Sequence, residues 1–112
     1  MRRMTEAQIQ SAVIEHWQTV GLPDTLVAAI PNAAAHGQLE LTRGLSDLLV
    51  IGGNVRIGLV ELKREGGKVR PEQRAFSALL HIHGIPHATI YGRDEPIALL
   101  ERRGVVRPQA RT

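Results

Sequence analysis

The chain contains no cysteine among its 112 residues, which excludes disulfide bonds and metal sites built on thiolates. Aromatic residues make up only 3%, so a surface that binds bases by stacking is not expected. No apolar run approaches the roughly 20 residues of a membrane span, and the two arginines near the N-terminus precede no apolar signal segment. We therefore expect a soluble, unexported, cytoplasmic protein without membrane contact.

The residues that are present suffice for one domain. Hydrophobic residues make up 43% of the chain, and they are mainly aliphatic, so a single aliphatic core over residues 1–112 is expected. Residues 107–112 are polar and predict a frayed tail. The net charge of +3 and the sequence pI near 10.2 favour an approach to phosphate groups.

Residues 46–64 predict a β-hairpin that carries the chemistry. A strand that begins at Asp47 is followed by the turn residues 52–54, and the returning strand contains Glu61 and Lys63. Side chains alternate along a strand, so Glu61 and Lys63 lie on one face. Asp47 and Glu61 meet at the same end of the hairpin.

Two adjacent carboxylates repel each other unless a cation lies between them. Oxygen ligands without cysteine or a histidine cluster favour Mg²⁺ or Mn²⁺, which takes one or two carboxylates and leaves positions for water and substrate phosphate. The ammonium of Lys63 would orient the attacking water or stabilise charge on the phosphate. Asp47, Glu61 and Lys63 thus predict phosphodiester hydrolysis, with the Leu62 carbonyl as a further candidate metal ligand.

These residues are part of a wider set of motifs. The motifs are Pro31-Asn32, Gly44-Leu45-Ser46-Asp47-Leu48-Leu49, Val60-Glu61-Leu62-Lys63, Gly66-Gly67-Lys68 and Pro71-Glu72-Gln73. Together they resemble the VRR-NUC (virus-type replication-repair nuclease) branch of the PD-(D/E)XK nucleases. The resemblance implies an α/β, restriction-endonuclease-like α-β-β-β-α-β core, with a mixed central sheet flanked by helices. It also implies a divalent metal, cleavage of DNA that is often branched, and a bacterial or phage-infected cell.

The first helix is predicted over residues 5–19, from a capping box at Thr5 to the stop at Gly21. Its periodicity places Glu6 on the buried stripe of Val13 and Glu15 on the opposite side. Glu6 is either a first-turn carboxylate favoured by the helix dipole or, as the resemblance implies, a third acidic group of the metal site.

A first strand is predicted over residues 25–30, and residues 32–43 form a loop. Asn32, in the Pro-Asn motif, either borders the DNA or is a turn residue that bonds its own backbone. Arg43 precedes the hairpin and either contacts phosphate or is a solvated charge.

A second helix is predicted over residues 71–83, from Pro71 to the stop at Gly84. Glu72 and Gln73 both lie at the edges of its buried stripe, so spacing does not choose between them. The resemblance chooses Gln73, which would bond a ligand carboxylate or a water on the metal. The basic residues around the helix start are Lys68, Arg70 and Arg74. They either seat backbone phosphates or are solvated charges.

The remaining chain predicts a closing strand over residues 87–91 and a last helix over residues 94–103. His81 and His83 point in different directions from a helix, which argues against a zinc site. The Leu, Ile and Val residues around Ile97 and Leu100 either complete the core or offer apolar surface to a second copy.

The leading hypothesis is a Mg²⁺-dependent DNA endonuclease that resolves four-way (Holliday) junctions in DNA repair or recombination. Since two matched incisions need two sites, we expect a homodimer. The alternatives are a nuclease acting on flap, single-stranded or unbranched DNA, and a noncatalytic DNA-binding module of the same fold.

Overall fold

The structure, a computed structural model, describes residues 3–31 and 44–109. Its elements in chain order are α1 (Glu6–Val20), β1 (Leu26–Ala29), β2 (Leu48–Gly52), β3 (Val55–Lys63), α2 (Pro71–Ile82), β4 (His87–Tyr91) and α3 (Asp94–Arg102). The order α-β-β-β-α-β and the final helix are those expected from sequence. The predicted loop over residues 32–43, with the candidate DNA contacts Asn32 and Arg43, lies outside the described residues.

Helix α1 begins where local chemistry predicts. The Thr5 hydroxyl accepts from the Gln8 N–H at 3.1 Å, and the Gln8 side chain accepts from the Thr5 N–H at 2.8 Å. This reciprocal pair satisfies two N–H groups that would otherwise lack partners at the helix start. Ile9 and Val13 form its buried stripe.

The four strands form one mixed sheet in the order β1-β2-β3-β4. The first three are antiparallel neighbours, whereas β4 runs parallel to β3. The hairpin between β2 and β3 turns at Gly52 and Gly53, whose φ angles are 103° and 72°. Glycine adopts these angles without the steric cost of a Cβ. Within residues 3–31 and 44–109, no helix combines the length and apolar character needed to cross a membrane.

The core lies on one face of this sheet, beneath α1 and α3. It is aliphatic, as expected, and consists of Ile9, Val13, Val27, Leu48, Val50, Val60, Leu62, Leu99, Leu100, Val105 and Val106. Leu99 and Leu100 of α3 are therefore committed to the monomer core. Of the two outcomes that the sequence left open for this helix, Leu99 and Leu100 follow the first and complete the core, whereas Ile97 is half-buried.

The polar C-terminal segment is hydrogen-bonded through its described part. The Arg107 N–H donates to the Val20 carbonyl at 2.9 Å, and the Gln109 N–H donates to a Glu101 carboxylate oxygen at 3.0 Å. Val106 also forms a β-bridge with Gly21. Residues 106–109 thus pair with the ends of α1 and α3, and the rest of the predicted tail, residues 110–112, lies outside the described residues.

The opposite face of the sheet carries α2 over β4. Leu80 is buried there, but an apolar row across three strands stays exposed. Leu26 pairs with Ile51 and Ile51 with Ile57, so their side chains share this face. They are 38%, 37% and 47% exposed. We call Leu26, Ile51 and Ile57 the apolar row.

Candidate active site

Asp47 is held at the start of β2 by backbone bonds on both sides. Its carbonyl accepts from Ile30 at 2.8 Å, and its N–H donates to the Val60 carbonyl at 3.0 Å. Its side-chain Oδ2 accepts from the Leu62 N–H at 2.6 Å. The carboxylate is thereby fixed against β3, beside the strand segment that carries Glu61 and Lys63.

Glu61 is buried, with 5% of its surface exposed, and it is oriented by Gln73. The Gln73 Nε2 donates to the Glu61 Oε2 at 2.6 Å, while the Gln73 Oε1 accepts from the Arg70 N–H at 2.9 Å. Because the cap bond at the start of α2 takes the amide oxygen, the amide nitrogen must face Glu61.

Helical spacing did not show which of Glu72 and Gln73 belongs to the site, and the structure shows that it is Gln73. Gln73 reaches the carboxylate on β3. Glu72 lies on another side of α2, where its backbone carbonyl stands against Gly44 ahead of β2. The helix packs with Leu80 toward the sheet, and this rotation brings residue 73 rather than residue 72 over Glu61.

Lys63 is the most deeply placed charge of the site, with 2% of its surface exposed. Its Nζ lies 3.9 Å from an oxygen of Glu61 and 3.9 Å from one of Glu6. Glu6, the first residue of α1, is 39% exposed at its side chain, whereas Glu15 is exposed on the far side of the helix. A buried ammonium needs such partners, since an unpaired charge away from water is costly.

The pKa values of the Asp47 and Glu61 carboxyl groups are both raised. Burial raises the pKa of Glu61 to about 8, and the neighbouring Asp47 carboxylate adds to this, while Lys63 opposes it. Burial also raises the pKa of Asp47, against the lowering effect of the Leu62 N–H. The pair is therefore poised to share a proton when no cation is bound.

This donor set fits a hard divalent cation. Asp47 and Glu61 supply two carboxyl groups, and the Leu62 carbonyl lies next to Glu61 on β3. In the described part of the chain, no three His, Cys, Asp or Glu side chains converge on one metal position. Mg²⁺ is usually held by only one or two carboxylates, so the pair meets its requirement. Glu6 is placed on the lysine side of the site.

The predicted phosphate contacts lie beside this centre. Lys68, Arg70 and Arg74 are exposed around the start of α2, the helix whose Gln73 reaches Glu61. The three side chains thus place positive charge at the protein surface near the start of α2.

Two neighbours were missed by sequence reasoning. In the parallel pairing of β3 and β4, Thr89 lies opposite Glu61 and Tyr91 opposite Lys63, so all four side chains share a face. Side-chain alternation along a strand indicates that Thr89 and Tyr91 lie on one face of β4. No local feature of the sequence indicates which strand β4 pairs with. They form the wall of the site on the β4 side.

Comparison with known proteins agrees with this geometry. The sequence model of the VRR-NUC domain matches residues 4–94, which include both carboxylates, the lysine and the glutamine. This chain belongs to the VRR-NUC family. The recognition from sequence motifs is thus confirmed, and so is the fold class.

Two solved structures show the same VRR-NUC fold. One, described as a VRR-NUC domain protein, has a TM-score of 0.74 and 19% identity, and the match covers 91% of this chain and 89% of the other. A second, a VRR-NUC domain, has a TM-score of 0.63 and 23% identity, with 88% and 97% covered. No curated protein matches. The chain has a nuclease-type fold along most of its length.

Proposed function

We propose that this VRR-NUC protein is a DNA endonuclease that uses Mg²⁺ or Mn²⁺ and hydrolyses phosphodiester bonds in branched DNA. One observation carries the proposal: buried Glu61 and half-buried Asp47, both with raised pKa values, lie beside the buried Lys63 at the end of a nuclease-type hairpin. A buried acid in contact with a second, half-buried acid costs stability, and a cation between them would offset that cost. Such perturbed groups are typical of reaction centres.

Asp47 and Glu61 are proposed to bind the metal, and each is held in place by a hydrogen bond. When bound by Asp47 and Glu61, the metal supplies Lewis-acid stabilisation of the phosphate. Asp47 is positioned by the Leu62 N–H, and Glu61 by Gln73. These fixed orientations spare the reorganisation that a flexible site would need.

Lys63 provides the positive charge on the substrate side. Its ammonium orients the attacking water or stabilises the negative charge that grows on the phosphate as water adds and the P–O bond breaks. Glu6 and Glu61 hold the ammonium at matched distances of 3.9 Å. Glu6 acts as a positioning residue for the lysine in this scheme.

Binding is proposed to be electrostatic. The chain carries a net charge of +3, and Lys68, Arg70 and Arg74 are exposed beside the site. Contacts of this kind recognise phosphates rather than bases, so affinity should fall steeply with salt. A role in DNA repair or recombination follows if the substrate is a junction.

The experiment that tests this function compares four-way junction, flap, duplex and single-stranded DNA with and without Mg²⁺ or Mn²⁺. We expect cleavage that requires the metal, stops with a chelator, and is fastest on the four-way junction. Faster cleavage of unbranched DNA would contradict the branched substrate. Binding without cleavage under every metal condition would indicate a noncatalytic module.

A homodimer is proposed because a four-way junction needs two matched cuts and one chain holds one such site. The apolar row, Leu26, Ile51 and Ile57, supports this, since large aliphatic side chains exposed together commonly mark a contact surface. On the same side, Leu79 and Ile82 of α2 are 50% and 75% exposed. These residues replace α3 as the proposed interface.

Light scattering tests the dimer. We expect a mass near twice the 12.3 kDa of one chain at micromolar concentration. Ile57→Lys should shift the protein to monomers, because burying an unpaired ammonium in an apolar contact is costly. Gln18→Lys, on exposed α1 surface, is the matched control and should stay dimeric. A monomeric wild type, both free and on DNA, would rule out the paired-cut scheme.

A further inference from the structure

A cavity lies at the end of the sheet where β3 and β4 terminate. These strands are parallel, and their last residues, Lys63 and Tyr91, pair with each other. The chain after β3 leads to α2 on one face of the sheet, whereas the chain after β4 leads to α3 on the core face. Connections that leave adjacent parallel strands in opposite directions open a crevice, which is where open α/β sheets commonly bind ligands.

The cavity has a volume of about 340 Å³, which falls in the range of small-molecule pockets. We call it the crevice. Its lining side chains are those of Arg3, Met4, Ile9, Glu65, Arg93 and Asp94. The start of the chain thus forms one wall, and the two strand connections form the other.

The crevice adjoins the proposed reaction centre. The N–H of Gly92, a further lining residue, donates to the Lys63 carbonyl at 2.8 Å. Glu65 follows Lys63 by two residues, about 7 Å of extended chain. On the other wall, Glu6 follows Met4 by two residues, and its carboxylate lies 3.9 Å from the Lys63 ammonium. A group bound in the crevice is therefore a near neighbour of a phosphate held at Lys63.

The charges that line the crevice balance. Arg3 and Arg93 face Glu65 and Asp94 across it, and the Arg93 Nη2 lies 3.1 Å from the Asp94 Oδ1. A phosphate site would instead carry an excess of positive donors. Nor do three acidic or histidine side chains of the described ranges converge there to hold a metal. The lining favours a neutral ligand that has both hydrogen-bond donors and acceptors.

The inner wall of the crevice is apolar. Met4 is half-buried and packs against the core, and Ile9, 1% exposed, closes the bottom. A nucleobase matches this lining, because its faces are apolar and its edges carry donors and acceptors. Methionine and guanidinium groups pack well on such rings, so the scarcity of aromatic residues is no obstacle. The exposed Glu65 carboxylate is a suitable acceptor for an exocyclic amine.

We propose that the crevice binds a base that is turned out of the stack, on the strand being cut and next to the scissile phosphate. Taking a base out of a duplex costs free energy, and the cost is least where the base is already unpaired. A branch point supplies such a base. The inference rests on the proposed nuclease function and deepens it, because it assigns the preference for branched DNA to a defined pocket.

Two variants test the crevice without touching the reaction centre. Glu65→Ala removes the acceptor at an exposed position, where substitutions rarely affect folding. Losing a negative charge beside DNA should tighten purely electrostatic binding, whereas losing a base contact weakens binding. Met4→Ala removes the apolar wall without a change in charge. The controls are Glu15→Ala on the exposed side of α1 and Val20→Ala, partly buried at the far end of that helix.

Two measurements without divalent metal keep base binding separate from cleavage. In the first, 2-aminopurine, whose fluorescence rises when it leaves the stack, is placed in turn at each position around the branch point of a four-way junction. We expect the wild type to raise the fluorescence several-fold at one position. Glu65→Ala and Met4→Ala should abolish this rise and lower junction affinity by about 3- to 10-fold, the usual effect of one lost contact.

In the second measurement, deoxyadenosine, which carries no phosphate, is added to the protein alone. It should raise the Tm of the wild type and of both controls, but not that of Glu65→Ala or Met4→Ala, because only an intact crevice binds it.

Each alternative outcome overturns a defined part of the proposal. If no junction position responds, or if the response survives in both crevice variants, no base enters the crevice. An equal loss in either control shows that the response does not report on the crevice. Stabilisation by deoxyadenosine without a response in the junction shows that the crevice takes a free nucleoside and not DNA. The expected fluorescence without cleavage under any metal condition refutes the nuclease proposal and leaves the base site standing, whereas metal-dependent cleavage without the fluorescence response refutes the base site alone.

Discussion

We expect Lys63→Met to lower the rate constant for DNA cleavage by about 10²- to 10³-fold, which is the usual effect of losing one group that stabilises transition-state charge. Methionine keeps the buried aliphatic stem and avoids the cavity that alanine would leave. Only the ammonium between Glu6 and Glu61 is removed. The loss should appear in kcat rather than in DNA affinity, because the charge acts on the reacting phosphate.

Single-turnover cleavage at saturating protein measures this effect. Glu61→Ala should abolish cleavage as well, since it removes a proposed metal ligand and the acceptor of Gln73. Arg64→Ala, at the exposed neighbouring position, is the control and should cleave at a rate close to that of the wild type. Wild-type rates in both Lys63→Met and Glu61→Ala would show that the hairpin carboxylate and lysine are not the reaction centre.

Without metal, we expect the free energy of unfolding to fall as the pH rises from about 4.5 to about 8, by an amount on the order of a few kcal/mol. The bounds are the ordinary pKa of glutamic acid and the raised pKa of Glu61 in the folded protein. In this window the unfolded chain has lost the proton that folded Glu61 retains. Folding then requires proton uptake, so stability is full below 4.5 and lost toward 8. The raised pKa of Asp47 acts in the same direction.

Denaturant unfolding at several pH values in a chelator measures this dependence. Glu61→Gln should flatten the curve, because an amide carries no titrating proton, whereas Glu15→Gln on the exposed side of α1 should leave it unchanged. Mg²⁺ should stabilise the wild type more at pH 8 than at pH 5.5, since protons compete for the same oxygens. Calorimetry in two buffers of different ionisation enthalpy should show proton release. A pH-independent free energy of unfolding in the wild type would contradict the raised pKa of Glu61.

Much of the site was predictable because its geometry is local. Alternation along one strand places Glu61 and Lys63 on the same face, and the two glycines of the turn bring Asp47 back to them. The capping motif at Thr5 positions α1, and helical periodicity selects Glu6 over Glu15 as the acid nearest the site. The family motifs then indicated the order of the helices and strands and the mixed sheet.

Long-range packing decided the rest. Helical spacing places Glu72 and Gln73 equally near the buried stripe of α2. Only the orientation of α2 on the sheet brings Gln73 into contact with Glu61. Residues 87–91 predict a strand, but their parallel pairing with β3 places Thr89 and Tyr91 beside the site. Leu99 and Leu100 are buried because α3 packs against β4 and α1.

The position of Arg103 likewise depends on tertiary packing and not on local sequence. Its sequence position at the end of a helix indicates a solvated or capping charge, and Gly58 is a glycine inside a strand, without a turn beside it. The close approach of the guanidinium to Gly58 exists only after α3 and the hairpin have packed together. The sequence by itself determined which residues share a strand face or a helix stripe, because those periodicities depend on neighbours a few positions apart. The tertiary structure alone decided which faces meet, because that depends on contacts between residues far apart in the chain.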